Sequence, residues 1–265
     1  MKGGLSESQQ KVLHRLEQNK HWIVTRDEIA SFLSCSEKEA HSICLGLALG
    51  KRFATLGHDQ YLLLTSLTQE PLPPIHPLII GSYLVTPYYF SYQTATAYHG
   101  LSPPTTEPVY IVTTQVRAHA DIRGISYRII RVHPRKFYGY EPVRINGVDV
   151  HMADKEKAMV DCLEKTKYAG GLTEVFRLLK KNINTLDVQR LVDYTVLMGT
   201  SSLIQRLGYL LDQLNVSFDE EFLQSYSLSV PTPLDPSRTY EGRSKRDEKW
   251  NLMINVPETL FEEDA

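Results

Sequence analysis

The sequence holds no run approaching the roughly 18 consecutive apolar residues that a membrane-spanning helix needs. Its start, Met1-Lys2-Gly3-Gly4-Leu5-Ser6, lacks the apolar core of a secretion signal. Both absences point to a cytoplasmic protein with no membrane partner. Cysteine is scarce: Cys35, Cys44 and Cys162 match no zinc spacing. An odd thiol count in a chain without a secretion signal reads as reduced cysteines packed among apolar neighbours. There is no phosphate-cradling glycine loop and no HExxH. Gly81-Ser82 opens like a nucleotidyltransferase motif, but the paired aspartates that would hold metal ions against a triphosphate do not follow. The histidines are scattered. No cofactor, no metal site and no catalytic site is therefore expected. An excess of charge of one sign is lacking too: the net charge is −2, so any nucleic-acid contact must come from a local patch.

What is present begins with three helix-start signatures in close succession. Ser6 with Gln9, Thr25 with Glu28 and Ser36 with Glu39 each fit the capping box, where a hydroxyl takes a backbone N–H and the long side chain reaches back. The first opens a helix from about Ser6 to Asn19 with Val12, Leu13 and Leu16 on one face. An extended piece, His21 to Val24, separates it from a short second helix with Ile29, Phe32 and Leu33 inside. After the turn at Ser34-Cys35 a third helix buries Ala40, Ile43, Cys44 and Leu47 and stops at Gly50. Two short strands, Phe53 to Leu56 and Tyr61 to Leu64, flank a Gly57-His58-Asp59 turn. Three capped helices followed by a hairpin predict a winged helix-turn-helix over residues 1–70.

Prolines at 71, 73, 74 and 77 predict a stiff linker over 71–78. From 79 to 265 a second, mixed α/β domain is expected. Ser91 to His99 reads as a helix stopped by Gly100. Val109 to Val112 and Ile125 to Val132 read as strands. Asn146-Gly147 between two β-rich stretches predicts a two-residue hairpin turn. After Asp154 the periodicity turns helical, giving this domain a helical C-terminal half, with a last strand candidate at Trp250 to Asn255. The expected fold class is α+β.

With its apolar residues inward, the third helix faces Lys38, His41, Ser42 and Leu45 outward, as a recognition helix in the major groove does. Lys51, Arg52 and His58 flank it as candidate phosphate contacts. Glu37 and Glu39 oppose them, and residues 1–70 hold as many acids as bases. A second candidate surface is basic: Arg117, Arg123, Arg128, Arg131, Arg135, Lys136 and Arg144 stand against only Asp121 and Glu141. Arg117, Arg128, Arg131 and Arg135 are its expected DNA contacts; the alternative is a charged, solvated strand edge. Two other readings stay open. The N-terminal unit can serve protein contacts instead of DNA. Asp235 with Asp247-Glu248-Lys249 fits the permissive metal-dependent nuclease pattern of an acid followed by acid-x-Lys.

One stretch is more specific than its parts. Val150-His151-Met152-Ala153-Asp154-Lys155-Glu156-Lys157-Ala158-Met159-Val160-Asp161-Cys162-Leu163 resembles a signature block of the AbiEi family of type IV antitoxins. In the same order as in that family follow Gly170-Gly171, Gln205-Arg206-Leu207-Gly208-Tyr209-Leu210-Leu211, Leu234-Asp235-Pro236, Gly242 and Lys249 to Asn255. Ala95 to Leu101 is similar to the family's helix ahead of the first strands. The resemblance implies a winged helix-turn-helix joined to an α/β antitoxin domain, repression of the protein's own promoter through repeated operator DNA, and action against a genetically linked, nucleotidyltransferase-like toxin without a stable complex. It also implies that Asp235 and Lys249 belong to a non-nuclease framework, and that Asp154 starts a helix. Members commonly carry a basic third helix and a Gly-Arg-rich wing. Here Lys38 and His41 lie among glutamates and the turn reads Gly57-His58-Asp59-Gln60, so DNA affinity is expected to draw on the Arg117–Arg144 surface as well.

Overall fold

The computed structural model describes residues 5–57, 59–68, 72–105, 108–226, 230–238 and 245–261. Gly242, the acidic end Glu262-Glu263-Asp264 and the turn residue His58 lie outside the described residues. The chain is mixed α+β. Its N-terminal unit runs α1 (Glu7–Gln18), β1 (Ile23–Thr25), α2 (Arg26–Leu33), α3 (Glu37–Leu49), β2 (Phe53–Thr55) and β3 (Gln60–Leu63). All three capping boxes form: the Ser6, Thr25 and Ser36 hydroxyls each accept the N3 amide, and Gln9, Glu28 and Glu39 return the bond to the cap N–H. The strands make an antiparallel sheet of order β1–β3–β2.

The central strand β3 is apolar at consecutive positions because both of its faces are covered. Side chains alternate across a strand, and the pairing makes the split consistent over the sheet. Val24, Tyr61, Leu63 and Phe53 enter the small core with Val12, Leu13, Leu16, Ile29, Ala40, Cys44 and Leu47. Ile23, Leu62 and Ala54 point the other way, into the large core of the rest of the chain, and Leu56 joins them. The hairpin turn is pinned as well: the Gly57 N–H donates to the Tyr83 carbonyl at 2.7 Å.

Pro77, read from sequence as linker, instead opens α4 (Pro77–Ser82), where a missing N–H costs nothing at the first helical position. The His76 ring caps this helix by accepting the Leu78 N–H at 3.2 Å. Then follow β4 (Tyr88–Phe90), α5 (Tyr92–Tyr98), β5 (Val109–Thr113), β6 (Ala120–Ile122), β7 (Ile125–Arg131), β8 (Tyr140–Ile145) and β9 (Val148–Ala153). The last two are joined by the expected turn, with φ of 48° at Asn146 and 86° at Gly147. These strands form one six-stranded sheet of order β6–β7–β5–β4–β9–β8, with parallel pairs β5/β7 and β4/β9. α4 lies on the face carrying Phe90 and Tyr127, so close that a Cβ on Gly81 would fall 2.9 Å from the Phe90 ring. α5 lies on the other face, with the Tyr92 ring against Tyr110.

The C-terminal half comprises α6 (Lys155–Glu164), α7 (Leu172–Asn182), α8 (Val188–Met198), α9 (Ser201–Gln213), α10 (Glu220–Ser225) and a small sheet of β10 (Thr232–Pro233), β11 (Lys245–Asp247) and β12 (Leu252–Ile254). Asp154 caps α6, its carboxylate accepting the Lys157 N–H at 2.7 Å. Every residue of α6 from Glu156 to Leu163 is buried, because α5, α7, α8 and α9 surround the helix. Lys157 and Asp161, four apart, form a fully buried ion pair. The ammonium also faces the Tyr138 ring, 4.7 Å from its centre. The second carboxylate oxygen accepts from Ser91 at 2.7 Å and Tyr89 at 3.2 Å. Burial and Asp161 together push the Tyr89 phenol well above its ordinary range.

Four of the blocks that carry the sequence resemblance meet around α9. Arg206 of α9 is buried and donates to the Leu234 carbonyl at 2.8 Å and the Leu163 carbonyl at 2.7 Å, joining three of them. Burial lowers its pKa to about 10, opposed by Asp235 and Glu164. Gly208, two residues on, lies under the Trp250 ring, which an added Cβ would strike. The indole N–H donates to Asp212 at 2.5 Å.

Two substitutions test this packing. At Gly57 a Cβ would meet the Tyr83 and Leu84 carbonyls at 2.7 and 2.9 Å. Gly57→Ala is expected to cost about 1–3 kcal/mol, with faster amide exchange over residues 53–63; an unchanged melting temperature would show the turn undocked in solution. Lys157→Met strands a buried carboxylate and should cost about 3–5 kcal/mol in urea unfolding. Lys157→Met with Asp161→Asn removes both charges, keeps an acceptor for Tyr89 and Ser91, and should recover most of that loss.

Candidate nucleic-acid interface

α3 presents the outward face that its periodicity predicts. Lys38, His41 and Ser42 are exposed, and among the described residues their side chains have no hydrogen-bond or ion-pair partner. The face continues into Leu45 and Leu49, which are 46% and 86% exposed. Lys51, just past the helix in the left-handed region at φ 55°, is also exposed and unpaired among the described residues.

The two glutamates at the start of α3 are tied down. Glu39 folds back onto Ser36, accepting its N–H at 2.9 Å and its hydroxyl at 2.8 Å, which lowers its carboxyl pKa. Glu37 lies 4.0 Å from Arg26, whose guanidinium also reaches Asp59 at 3.4 Å. Arg26 therefore ties the start of α3 to the β2–β3 turn, a role its position in the second capping box did not suggest. Between α1 and α3 a groove lined by Ser8, Lys11, Glu39 and Ser42 runs beside the exposed face.

Arg52 is not aimed outward. Its guanidinium donates to the Ser66 carbonyl at 2.5 Å and approaches the Thr65 hydroxyl at 3.4 Å, holding the chain as it leaves β3. His58 lies outside the described residues; of its neighbours, Leu56 joins the large core and the Gly57 N–H donates to the Tyr83 carbonyl.

The Arg117–Arg144 run does not assemble into one surface. Arg117 donates to the Leu56 carbonyl at 3.2 Å. Arg123 reaches the Pro73 carbonyl at 3.3 Å and the Leu63 carbonyl at 3.5 Å from a two-residue turn with Gly124. These two arginines clamp the N-terminal unit and the linker. Arg128 and Arg131 are both exposed, but three residues apart on β7 they point to opposite faces of the sheet. Arg135 lies over Gly199 at the end of α8, 3.5 Å away from where a Cβ would stand. Lys136 pairs with Glu164, and Arg144 lies 3.4 Å from Asp149. The expectation of a joint cationic surface is corrected: sequence proximity in a β-rich stretch spreads residues over two faces and several turns.

The residues of the nuclease pattern are each engaged locally. Asp235 is buried and accepts from the Ser237 N–H and hydroxyl at 2.9 and 2.6 Å. Asp247 accepts the Trp250 N–H at 2.8 Å. Lys249 lies 2.8 Å from both Asp212 and Glu220, whose hydrogen bonds raise its pKa. Among the described residues no three His, Cys, Asp or Glu side chains are grouped to hold a metal ion. Burial pushes the Cys44 thiol up to about 11. No described helix is long and apolar enough to cross a membrane.

No protein-family profile matches the chain, and no curated protein matches it. Among solved structures the chain is similar to the RV2827C protein from Mycobacterium tuberculosis, with a TM-score of 0.62 over 94% of this chain and 92% of that one, at 15% identity. At that identity the likeness is one of fold: a mixed α+β architecture shared along nearly the whole of both chains.

Proposed function

We propose that the chain is a cytoplasmic DNA-binding regulator that represses its own operon and acts as the antitoxin of a type IV toxin–antitoxin pair. Its N-terminal unit is read as a winged helix-turn-helix and the remainder as the antitoxin domain. The observation that carries the reading is the exposed, unpartnered row Lys38, His41 and Ser42 on α3, with Lys51 beyond its end. An α-helix fits the major groove, where side chains of its first turns reach base edges while flanking cations hold phosphates. The order α1–β1–α2–α3–β2–β3 and the three closed capping boxes support it. The antitoxin part rests on the ordered resemblance blocks, three of which Arg206 joins. The counterpart is a genetically linked, nucleotidyltransferase-like toxin.

In this reading Lys38 and Lys51 are the exposed cations on and beside α3 that take phosphate contacts, while Arg52 is engaged at the Ser66 carbonyl. Binding should therefore be weak for a repressor and carry a shallow salt dependence, log K changing by about 1 per phosphate contact in log salt. A titration of the full chain against its own upstream DNA and an unrelated duplex, at two salt concentrations, checks this. Lys38→Glu with Lys51→Glu is expected to weaken operator binding by roughly tenfold or more and to flatten the salt slope.

A second reading is favoured by one observation: Leu45 and Leu49 extend the same face and are exposed. A helix face that ends in leucines suits a protein partner. Operator affinity untouched by the double charge reversal would remove α3 from DNA reading and leave that protein contact as its role.

A further inference from the structure

The face of α7 away from its core forms one wall of a concave pocket of about 190 Å³. Thr173, Phe176, Arg177 and Lys180 follow one another at helical spacing, so they line the same side. Phe176 is buried and forms the floor. Arg238 and Thr259 converge from the C-terminal segment opposite. Three cations and two hydroxyls thus face a single cavity, and among the described residues no carboxylate lines it.

The cations are available. Lys180 has no hydrogen bond or ion pair among the described residues, although it is half-buried. Arg177 meets Glu174 at 3.6 Å with both side chains exposed, an interaction of little worth in water. Arg238 meets Asp235 through its Nε at 3.4 Å, on the carboxylate oxygen that Ser237 does not use. Arg238 is itself among the residues that line the cavity.

We propose that this pocket binds a phosphoryl dianion, free or as the head of a small phosphorylated molecule. Two guanidinium forks and an ammonium supply charge and paired donors that match tetrahedral oxygens, and the threonine hydroxyls add donors. A carboxylate offers half the charge and fewer acceptor oxygens. A nucleotide base finds no exposed ring here, since Phe176 is covered. The cavity holds about 190 Å³ between α7 and the C-terminal segment, a size that suits a small ligand better than the backbone of a duplex. This site is separate from α3 and does not depend on the DNA reading.

Calorimetric titration of the full chain with inorganic phosphate and pyrophosphate, at constant ionic strength, tests it, with acetate and an unrelated duplex as further arms. The expected result is saturable binding of phosphate and pyrophosphate but not of acetate, with a ligand-induced rise in melting temperature. Lys180→Gln, and separately Arg177→Gln with Lys180→Gln, should weaken that binding by roughly tenfold without changing the melting temperature of the unliganded protein. No saturation, equal binding of acetate, or unchanged affinity in both variants overturns the proposal. So does Lys180-dependent binding of the duplex alone, which would make the pocket part of a nucleic-acid surface.

Discussion

Leu62 lies at the centre of a three-stranded sheet and belongs to the core on the far side of it, with Ile23 and Ala54 as its cross-strand neighbours. Tyr61 and Leu63, on either side of it in sequence, belong to the core of the three helices. Because a strand can serve two cores only by alternation, the small sheet is a shared wall, and everything N-terminal to the linker is held in one orientation against the larger unit. Each buried leucine of this kind is worth about 1.5–3 kcal/mol. Arg117 and Arg123 then fasten the wall by donating to carbonyls of Leu56, Leu63 and Pro73, groups that would otherwise lose their bonds to water. The direction in which α3 faces is set by this joint.

Elsewhere the interior is organised by buried charge. Arg206 spans from α9 to the end of α6 and to the residue just after β10, and Lys157 with Asp161 connects α6 to β4 through Tyr89 and Ser91. Such groups contribute less to net stability than apolar residues of the same size. They specify instead: a helix buried on all sides has no single apolar stripe to fix its rotation, and an ion pair with named partners fixes it.

Much of the backbone was legible in the sequence because its signals are local. The capping boxes at Ser6, Thr25 and Ser36 depend on residues three apart and the Asn146-Gly147 turn on adjacent ones, and each forms as read. The helices α7 and α8 follow their apolar spacing, whereas α6 and most of α9 are buried on every side. The strands β4, β6 and β11 were missed: each is three residues long, too short for a period-two pattern to show. The candidate interface was legible only in part. The outward row on α3 follows from periodicity alone. Whether Arg52 or Arg123 reaches solvent depends on which carbonyl lies nearby at a sequence distance of 10 to 60 residues, and no local pattern carries that. Lys180 and Arg238, far apart in the chain, gave no sequence signal of a shared pocket.

The doubly covered sheet also bears on how the chain can vary over time. A reading unit joined to its neighbour by a bare tether can be exchanged for another with little penalty. Here Gly57, Leu56 and Leu62 form a fitted joint with Tyr83 and Leu84. A replacement unit would have to bring the same turn and the same apolar row, so the substitutions that leave this joint untouched are those on the exposed face of α3.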